Sequence, residues 1–262
     1  MGRHLRLYLH FLRFSFSRAM EFRVDFFFRI VMDAAFYAVQ LAFFGVLYRH
    51  TALLGGWDLD QAIVFACGFF LIDALHMTIF ANNMWWLPIF VNKGDLDYYL
   101  TRPVSPLFFL SLRDFAANSF VNLLIAVALL AWALGRYPGP LDPLAAGVFI
   151  LLLLNGAILY WLVHLAFLIP VFWLHSSRGL GETFYVLEKY SERPDRIFRG
   201  WVRRILVTAL PFALISSFPT ALLFEGVSPA LLGHVLGVTA LFFLAVLGFW
   251  RLALRNYASA SS

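Results

Sequence analysis

The chain has 262 residues, of which 62% are hydrophobic and only 13% are charged. This is more apolar surface than a soluble core of that size can bury, and several apolar runs approach the length of a membrane-spanning helix. The net charge of +5 does not indicate a nucleic-acid partner, because the basic residues lie in the segments between the apolar runs. The composition therefore predicts an all-α polytopic membrane protein and excludes a soluble one.

The first 28 residues have the pattern of a helix that lies in the membrane interface. Apolar side chains recur at helical spacing, and arginines fall on another face, toward the lipid phosphates. The first two membrane spans are predicted at residues 29–48 and 60–82. Residues 51–59 between them contain no lysine or arginine.

A polar segment at residues 83–106 separates the second span from the third. Trp85 and Trp86 lie where a span would leave the bilayer, and the charged residues and prolines that follow them predict a short docking turn. The third and fourth spans are expected at residues 107–134 and 144–173, joined by a short turn rich in proline and glycine.

The later part of the chain contains a second polar segment, residues 175–204, which is too charged to enter hydrocarbon. Prolines interrupt the apolar stretch after it, and two interpretations are open. One is a kinked span over residues 205–224. The other is a fifth span at residues 201–217 followed by a re-entrant piece at 218–228. A last span is expected at residues 229–250.

The distribution of positive charge predicts the topology of these six spans. Eighteen of the 20 lysines and arginines fall in the first 29 residues, the first polar segment with Arg113, the second polar segment and the tail. Arg49 and Arg136 lie on the opposite side. The positive-inside rule then places both termini and both polar segments in the cytoplasm.

The sequence lacks the motifs of the common catalytic sites. It contains no GxxxxGK[ST] phosphate loop, no HExxH, no GxSxG and only one cysteine. We therefore expect a non-catalytic chain that binds neither a metal nor a cofactor of its own.

Two ionisable residues are notable because charged groups within a span are costly. Asp73 and His76 are three residues apart and so lie on one face of the second helix. They are candidates for the lining of a polar path, and the alternative is a satisfied buried pair.

The motif KGDLDYYL at residues 93–100, followed by RPVSP at 102–106, resembles the hallmark of the ABC-2 family of transporter permeases, in a branch once described only as a domain of unknown function. Weaker matches extend the resemblance over essentially the whole chain, and they are Glu21-Phe22-Arg23, Tyr190-Ser191, Pro194-Asp195, Gly200-Trp201, Pro211, Phe218-Pro219 and the ending from Trp250 to Ala260.

This resemblance implies a permease that assembles with a second copy, identical or related, and with two copies of a separate ATPase that binds ATP and magnesium. It also implies that the ATPase contacts the amino-terminal helix and the turn after the second span, here Glu21, Arg23, Asn92, Lys93, Gly94, Asp95, Leu96, Asp97, Arg102 and Pro103. A re-entrant element before the last span is implied as well, with Phe218, Pro219 and Glu225.

The residues and the resemblance together favour the membrane subunit of an ATP-driven exporter in a prokaryotic plasma membrane. The expected cargo is amphipathic: a drug, a peptide, a lipid or a glycolipid. The alternative is a secondary transporter or channel that works without an ATPase and uses Asp73 and His76 as a proton-sensitive pair.

Overall fold

The computed structural model describes residues 7–11, 13, 23–176 and 178–257, without the side chains of residues 23–26, 29, 118 and 178. Every regular element in these ranges is helical, so the prediction of an all-α protein is confirmed. Five helices are long and apolar enough to cross a membrane, or six if one bent helix pair is counted as a span.

The helices from residue 23 onward are α1 (Arg23–Leu47), α2 (Leu59–His76), α3 (Asn82–Lys93), α4 (Asp97–Leu100), α5 (Pro106–Leu112), α6 (Ala117–Arg136), α7 (Pro143–Leu168), α8 (Val171–Leu174), α9 (Arg178–Glu188), α10 (Gly200–Val207), α11 (Phe212–Glu225) and α12 (Pro229–Asn256). A π-helical turn, Met77–Ala81, joins α2 to α3, and a short 3-10 turn, Asp195–Ile197, precedes α10.

The long helices form a bundle with two ends. The loop end carries residues 94–105, and the far end carries residues 48–58 and 137–142. Helix α12 starts at the far end and finishes at the loop end, where the ring of Trp250 lies 5.6 Å from that of Phe172. Since α1 also starts at the loop end, both ends of the main described range lie on the same side of the bundle.

The second span is longer than the sequence predicts. Helix α2, the π-helical turn and α3 form one continuous apolar run, Leu59–Lys93, of 35 residues. The predicted boundary at residue 82 is therefore wrong, because Asn82 and Asn83 do not end the helix but make hydrogen bonds within the bundle. Residues 83–93 of the predicted turn are helical, and only residues 94–105 form the connection.

The third span is shorter and broken. Residues 113–116 separate α5 from α6, so the predicted span at 107–134 is not one helix. The break is stabilised from the neighbouring π-helical turn, where the backbone carbonyl of Thr78 accepts a hydrogen bond from the Ala116 N–H at 2.9 Å. A π-helical turn leaves carbonyl groups free for such partners.

The predicted location of residues 175–204 on one face is wrong. Near the loop end, Tyr185 of α9 stacks on Trp85, with ring centroids 5.9 Å apart. At the far end, a methyl group added to Gly55 would lie 3.3 Å from the Cβ of Pro194. Residues 178–194 therefore cross the bundle from one end to the other.

Two carboxyl groups of this crossing have hydrogen-bond partners on neighbouring helices. Tyr160 donates a hydrogen bond to the carboxylate of Glu188, and Gln40 donates one to Glu192 at 3.3 Å. Buried polar groups are tolerated in proteins when they are hydrogen-bonded in this way.

The predicted fifth span at residues 201–217 is also wrong. Helices α10 and α11 meet at a bend of 87°, and the break lies at residues 208–211 rather than near Ser216. Arg196 forms an ion pair with Glu225 at the end of α11, and it also lies beside Gly200 at the start of α10. The start of α10 and the end of α11 are therefore both at the far end of the bundle. Residues 218–225 belong to α11 and do not form a separate piece.

Helix α11 lies in the centre of the core, against α7 and α2. The helix approaches α7 closely at Gly156, where an added Cβ would come within 2.4 Å of the Ile215 carbonyl oxygen. Ser216 and Ser217 face the crossing at residues 178–194, and the Ser216 hydroxyl donates to the Ser191 carbonyl at 2.6 Å. The spacing between α7 and α11 at Gly156 requires a residue without a side chain.

Candidate functional site

The loop at residues 92–103 lies at the loop end and is fixed by two buried side chains, Leu96 and Tyr99. Helix α3 ends at Gly94, whose φ of 79° is a left-handed conformation that glycine adopts without steric cost. The chain then turns back, and the Leu96 N–H donates to the Phe90 carbonyl at 3.2 Å. The Leu96 side chain is fully buried, so it positions the loop rather than presenting a surface.

Most of the polar residues of the 92–103 loop are exposed. Among the residues predicted to contact an ATPase, Asn92, Lys93, Asp95, Arg102 and Pro103 are exposed, whereas Gly94 and Asp97 are half-buried. Tyr98 is 58% exposed, and the Arg102 guanidinium lies 4.1 Å from the centre of its ring. The 92–103 loop thus presents charges of both signs around an aromatic ring.

The base of the 92–103 loop is connected to helix α5 and to the end of α12. Tyr99 is buried and accepts a hydrogen bond from the Arg113 guanidinium, which also lies 4.7 Å from the centre of the Phe90 ring. Burial and the nearby carboxylate of Asp97 raise the pKa of Tyr257, which places the end of α12 beside the loop. A displacement of the loop therefore acts on several helices at once.

A buried polar cluster behind the loop joins α3 to the break between α5 and α6. The Asn82 amide donates to the Asp114 carboxylate at 2.7 Å. Asn83 donates to the Asp114 backbone carbonyl at 2.7 Å and accepts from the Asp114 N–H at 3.0 Å. Sequence reasoning missed this cluster, although an asparagine and an aspartate inside the predicted spans, Asn82 and Asp114, are a usable signal.

Asp73 and His76 lie in different surroundings, and the structure does not join them into a pair. His76 is fully buried, and its Nε2 lies 3.1 Å from Nδ1 of His164, while its ring lies 4.3 Å from that of Tyr160. Asp73 instead lines a cavity of about 230 Å³ among α1, α2 and α6. The partner of His76 lies 88 residues away, too far along the chain for helical spacing to indicate it.

The remaining predicted site residues are spread over the molecule. Phe218 lies in α11 with its ring 5.9 Å from that of His234, Pro219 lies inside the same helix, and Glu225 pairs with Arg196 at 2.5 Å. Glu21 is outside the described residues. Arg23 begins α1, but its side chain is also outside them.

No cluster of three or more histidine, cysteine, aspartate or glutamate side chains that could hold a metal ion occurs in the described part of the chain. The 92–103 loop consists of an exposed polar tip on a packed base.

Comparison with protein families gives one match. The family model described as ABC-2 family transporter protein matches residues 34–261, which run from within α1 to the tail beyond α12. No curated protein matches the chain. No solved structure matches it either.

Proposed function

Because this chain belongs to the ABC-2 transporter family, it is a multi-pass permease component of an ABC transporter, and we propose that it serves an ATP-driven exporter of an amphipathic substrate. The family implies an ABC ATPase as partner. In our proposal two permease copies, identical or related, assemble with two ATPase copies in a prokaryotic inner membrane. ATP and magnesium bind to the partner subunits, and the cargo is a drug, peptide, lipid or glycolipid.

The observation that carries this proposal is the construction of the 92–103 loop. A chain that does not itself hydrolyse ATP receives work only through contact with a partner, and a rigid element transmits displacement better than a loose one. The exposed Asp95 and Arg102 supply the contact, while buried Leu96 and Tyr99 link it to the helices. Pro103 and Pro106 restrict the backbone where the chain leaves the loop.

The crossing at residues 178–194 supports a route between two permease copies. Glu182, Thr183, Lys189 and Arg193 are exposed on the single chain, although residues 178–194 run between the two ends of the bundle. Charged groups that face hydrocarbon are costly, so such residues normally face a partner or a water-filled cavity. A second copy packed against this side would enclose them in a polar path.

The proposed docking is tested by reversing charge on the loop. We expect the double variant Asp95→Lys, Asp97→Lys to lose co-purification with the ATPase encoded by a neighbouring gene, and to lose substrate-stimulated ATP turnover. The control is Glu225→Lys at the far end, which breaks an exposed ion pair of small energetic value. Unchanged assembly and transport in the double variant would show that the ATPase docks elsewhere.

A secondary transporter remains the alternative, and the same preparation distinguishes it. Transport by the chain alone in liposomes, driven by a proton gradient and without ATP, would support the alternative and contradict our proposal. In that case a variant of Asp73 would abolish transport, whereas charge reversal at Asp95 would have no effect.

A further inference from the structure

The far end of the bundle carries a group of arginines that the docking role of the 92–103 loop does not explain. Arg196, Arg199 and Arg203 lie close together at this end. Their position is marked by the connection at residues 48–58, because a methyl group added to Gly56 would lie 3.6 Å from Nη1 of Arg196. With the loop end in the cytoplasm, as proposed, the positive-inside rule gives no reason for basic residues here.

These three arginines line one open pocket at the start of α10, which we call the far-end pocket. Its wall is formed by Arg196, Phe198, Arg199, Gly200 and Arg203, and its volume is about 340 Å³. No aspartate or glutamate belongs to this wall as far as the structure describes it. Guanidinium groups donate hydrogen bonds and accept none, so three of them around one space are suited to an anion with several acceptor oxygens.

Two of the three guanidinium groups are held in place by carboxylates that lie outside the wall. Arg203 donates from Nε to Asp195 Oδ2 at 2.8 Å, and the Asp195 side chain is only 3% exposed. Arg196 pairs with Glu225 through Nη2 at 2.5 Å. Nη1 of both arginines has no hydrogen-bond partner among the described residues, so oriented donors remain for a ligand.

Arg199 supplies a positive charge that no described carboxylate balances. It is exposed, and it takes part in none of the ion pairs found at this end among the described residues. An anion in the far-end pocket would therefore meet one uncompensated charge together with the positioned N–H groups of the other two arginines. Arginine is the residue best suited to phosphate, because its planar fork matches the geometry of the phosphate oxygens.

The exposed face of α10 indicates that the phosphate belongs to a lipid. Trp201 is 72% exposed and Ile205, one turn further along, is 37% exposed, whereas Val202 and Leu206 pack into the core. Tryptophan favours the level of the lipid head groups, and an exposed apolar helix face contacts acyl chains. The geometry suits a lipid whose phosphate lies in the pocket and whose acyl chains run along this face.

We propose that the far-end pocket binds the phosphate group of a phospholipid from the adjacent leaflet. Arg196 and Arg203 donate to the phosphate through Nη1, Arg199 balances its charge, and Trp201 and Ile205 contact the acyl chains. Because α10 leads through the bend into the buried helix α11, a lipid in this pocket positions the core relative to the membrane surface. This binding depends neither on the proposed function nor on which end is cytoplasmic.

The test is native mass spectrometry of the full chain from micelles that contain phosphatidylglycerol, or a diacylglycerol with the same acyl chains as the comparison without phosphate. We expect phosphatidylglycerol to be retained and Arg199→Gln to weaken its binding by about tenfold, the loss typical of a charge-assisted hydrogen bond. This variant breaks no ion pair among the described residues. The matched control is Arg49→Gln, which removes the same charge from an exposed position at the same end and should bind as the wild type does.

A second measurement uses only the wild-type protein and identifies the source of the phosphate. Phosphatidylglycerol should protect Arg199 from modification by phenylglyoxal, detected by peptide mass spectrometry, with Arg49 as the internal reference. The diacylglycerol and inorganic phosphate at the same concentration should give no protection.

Three results would overturn the proposal. They are equal lipid binding by the Arg199 and Arg49 variants, protection of Arg199 by the diacylglycerol, and protection by inorganic phosphate equal to that by the lipid. The last would mean that the pocket takes a soluble phosphate group. Each would leave the permease assignment intact, because co-purification of the ATPase tests that at the opposite end of the bundle.

Discussion

Asn83 illustrates how a single buried side chain joins two segments of this protein. Its amide donates to the carbonyls of Ile79 and Asp114 and accepts from the Asp114 N–H, so three hydrogen bonds depend on it. It holds α3 to the break before α6, directly behind the 92–103 loop. The residue is 2% exposed, and water cannot replace its bonds.

We expect Asn83→Ala to lower the free energy of unfolding by about 2 kcal/mol, because it leaves the N–H and carbonyl of Asp114 without partners in a buried site. The measurement is denaturant-induced unfolding in mixed micelles. Asn92→Ala is the matched control, since Asn92 is exposed on the same helix. Equal stability of the two variants would show that the Asn83 bonds contribute little.

At the scale of elements, α7 and α11 pack against each other with their backbones in close approach. The contact depends on Gly156, which faces the backbone of Ile215 and the side chain of Ile72. Ile215, Phe212 and Leu222 of α11 are fully buried, so this proline-containing helix is part of the core. A backbone carbonyl cannot move aside as a flexible side chain does.

We expect Gly156→Ala to destabilise the protein by about 1–3 kcal/mol, the usual cost of overpacking, and to separate α11 from α7. Gly147→Ala on the same helix is the control, because nothing lies within 4 Å of its added methyl group. Thermal unfolding of both variants in detergent gives the comparison. Equal unfolding temperatures of the two variants would mean that α11 moves to accommodate the methyl group at no cost in stability.

At the scale of the whole molecule, the crossing at residues 178–194 changes how the basic residues are distributed between the two ends of the bundle. Of the seven basic residues at 175–204, only Arg178 stays at the loop end, and Arg196, Arg199, Arg203 and Arg204 lie at the far end. Lys189 and Arg193 lie between. Because Lys93, Arg102, Arg113, Arg251 and Arg255 of the described residues still lie at the loop end, we keep the proposal that this end is cytoplasmic.

Labelling with a membrane-impermeant maleimide tests this topology. In a Cys67→Ala background, which removes the one buried native cysteine, we expect Leu53→Cys and Arg199→Cys to react from the same side of the membrane. Asp95→Cys should react only from the other side. Leu53 is 59% exposed, and Arg199 and Asp95 are also exposed, so a failure to react reflects location. Reaction of Arg199→Cys together with Asp95→Cys would contradict the crossing at residues 178–194.

The sequence by itself determined the all-helical membrane class, at least one end of each of the five long apolar helices to within a few residues, and the exposed loop around Asp95. Those features follow from local physics: hydrophobic runs of sufficient length, and a glycine at a position that needs positive φ. The motif in the loop also indicated the family that the comparison then showed.

Only the tertiary structure decided where polar residues lie inside the bundle. The crossing at residues 178–194 is too charged to resemble a span, and its carboxyl groups at Glu188 and Glu192 are satisfied by Tyr160 and Gln40 from distant helices. The continuation of the second span through Asn83, the His76 contact with His164, and the Asp73 cavity depend on partners far along the chain. A hydropathy scale assigns a cost to each polar side chain separately, whereas in the folded chain polar side chains from distant segments form hydrogen bonds with one another.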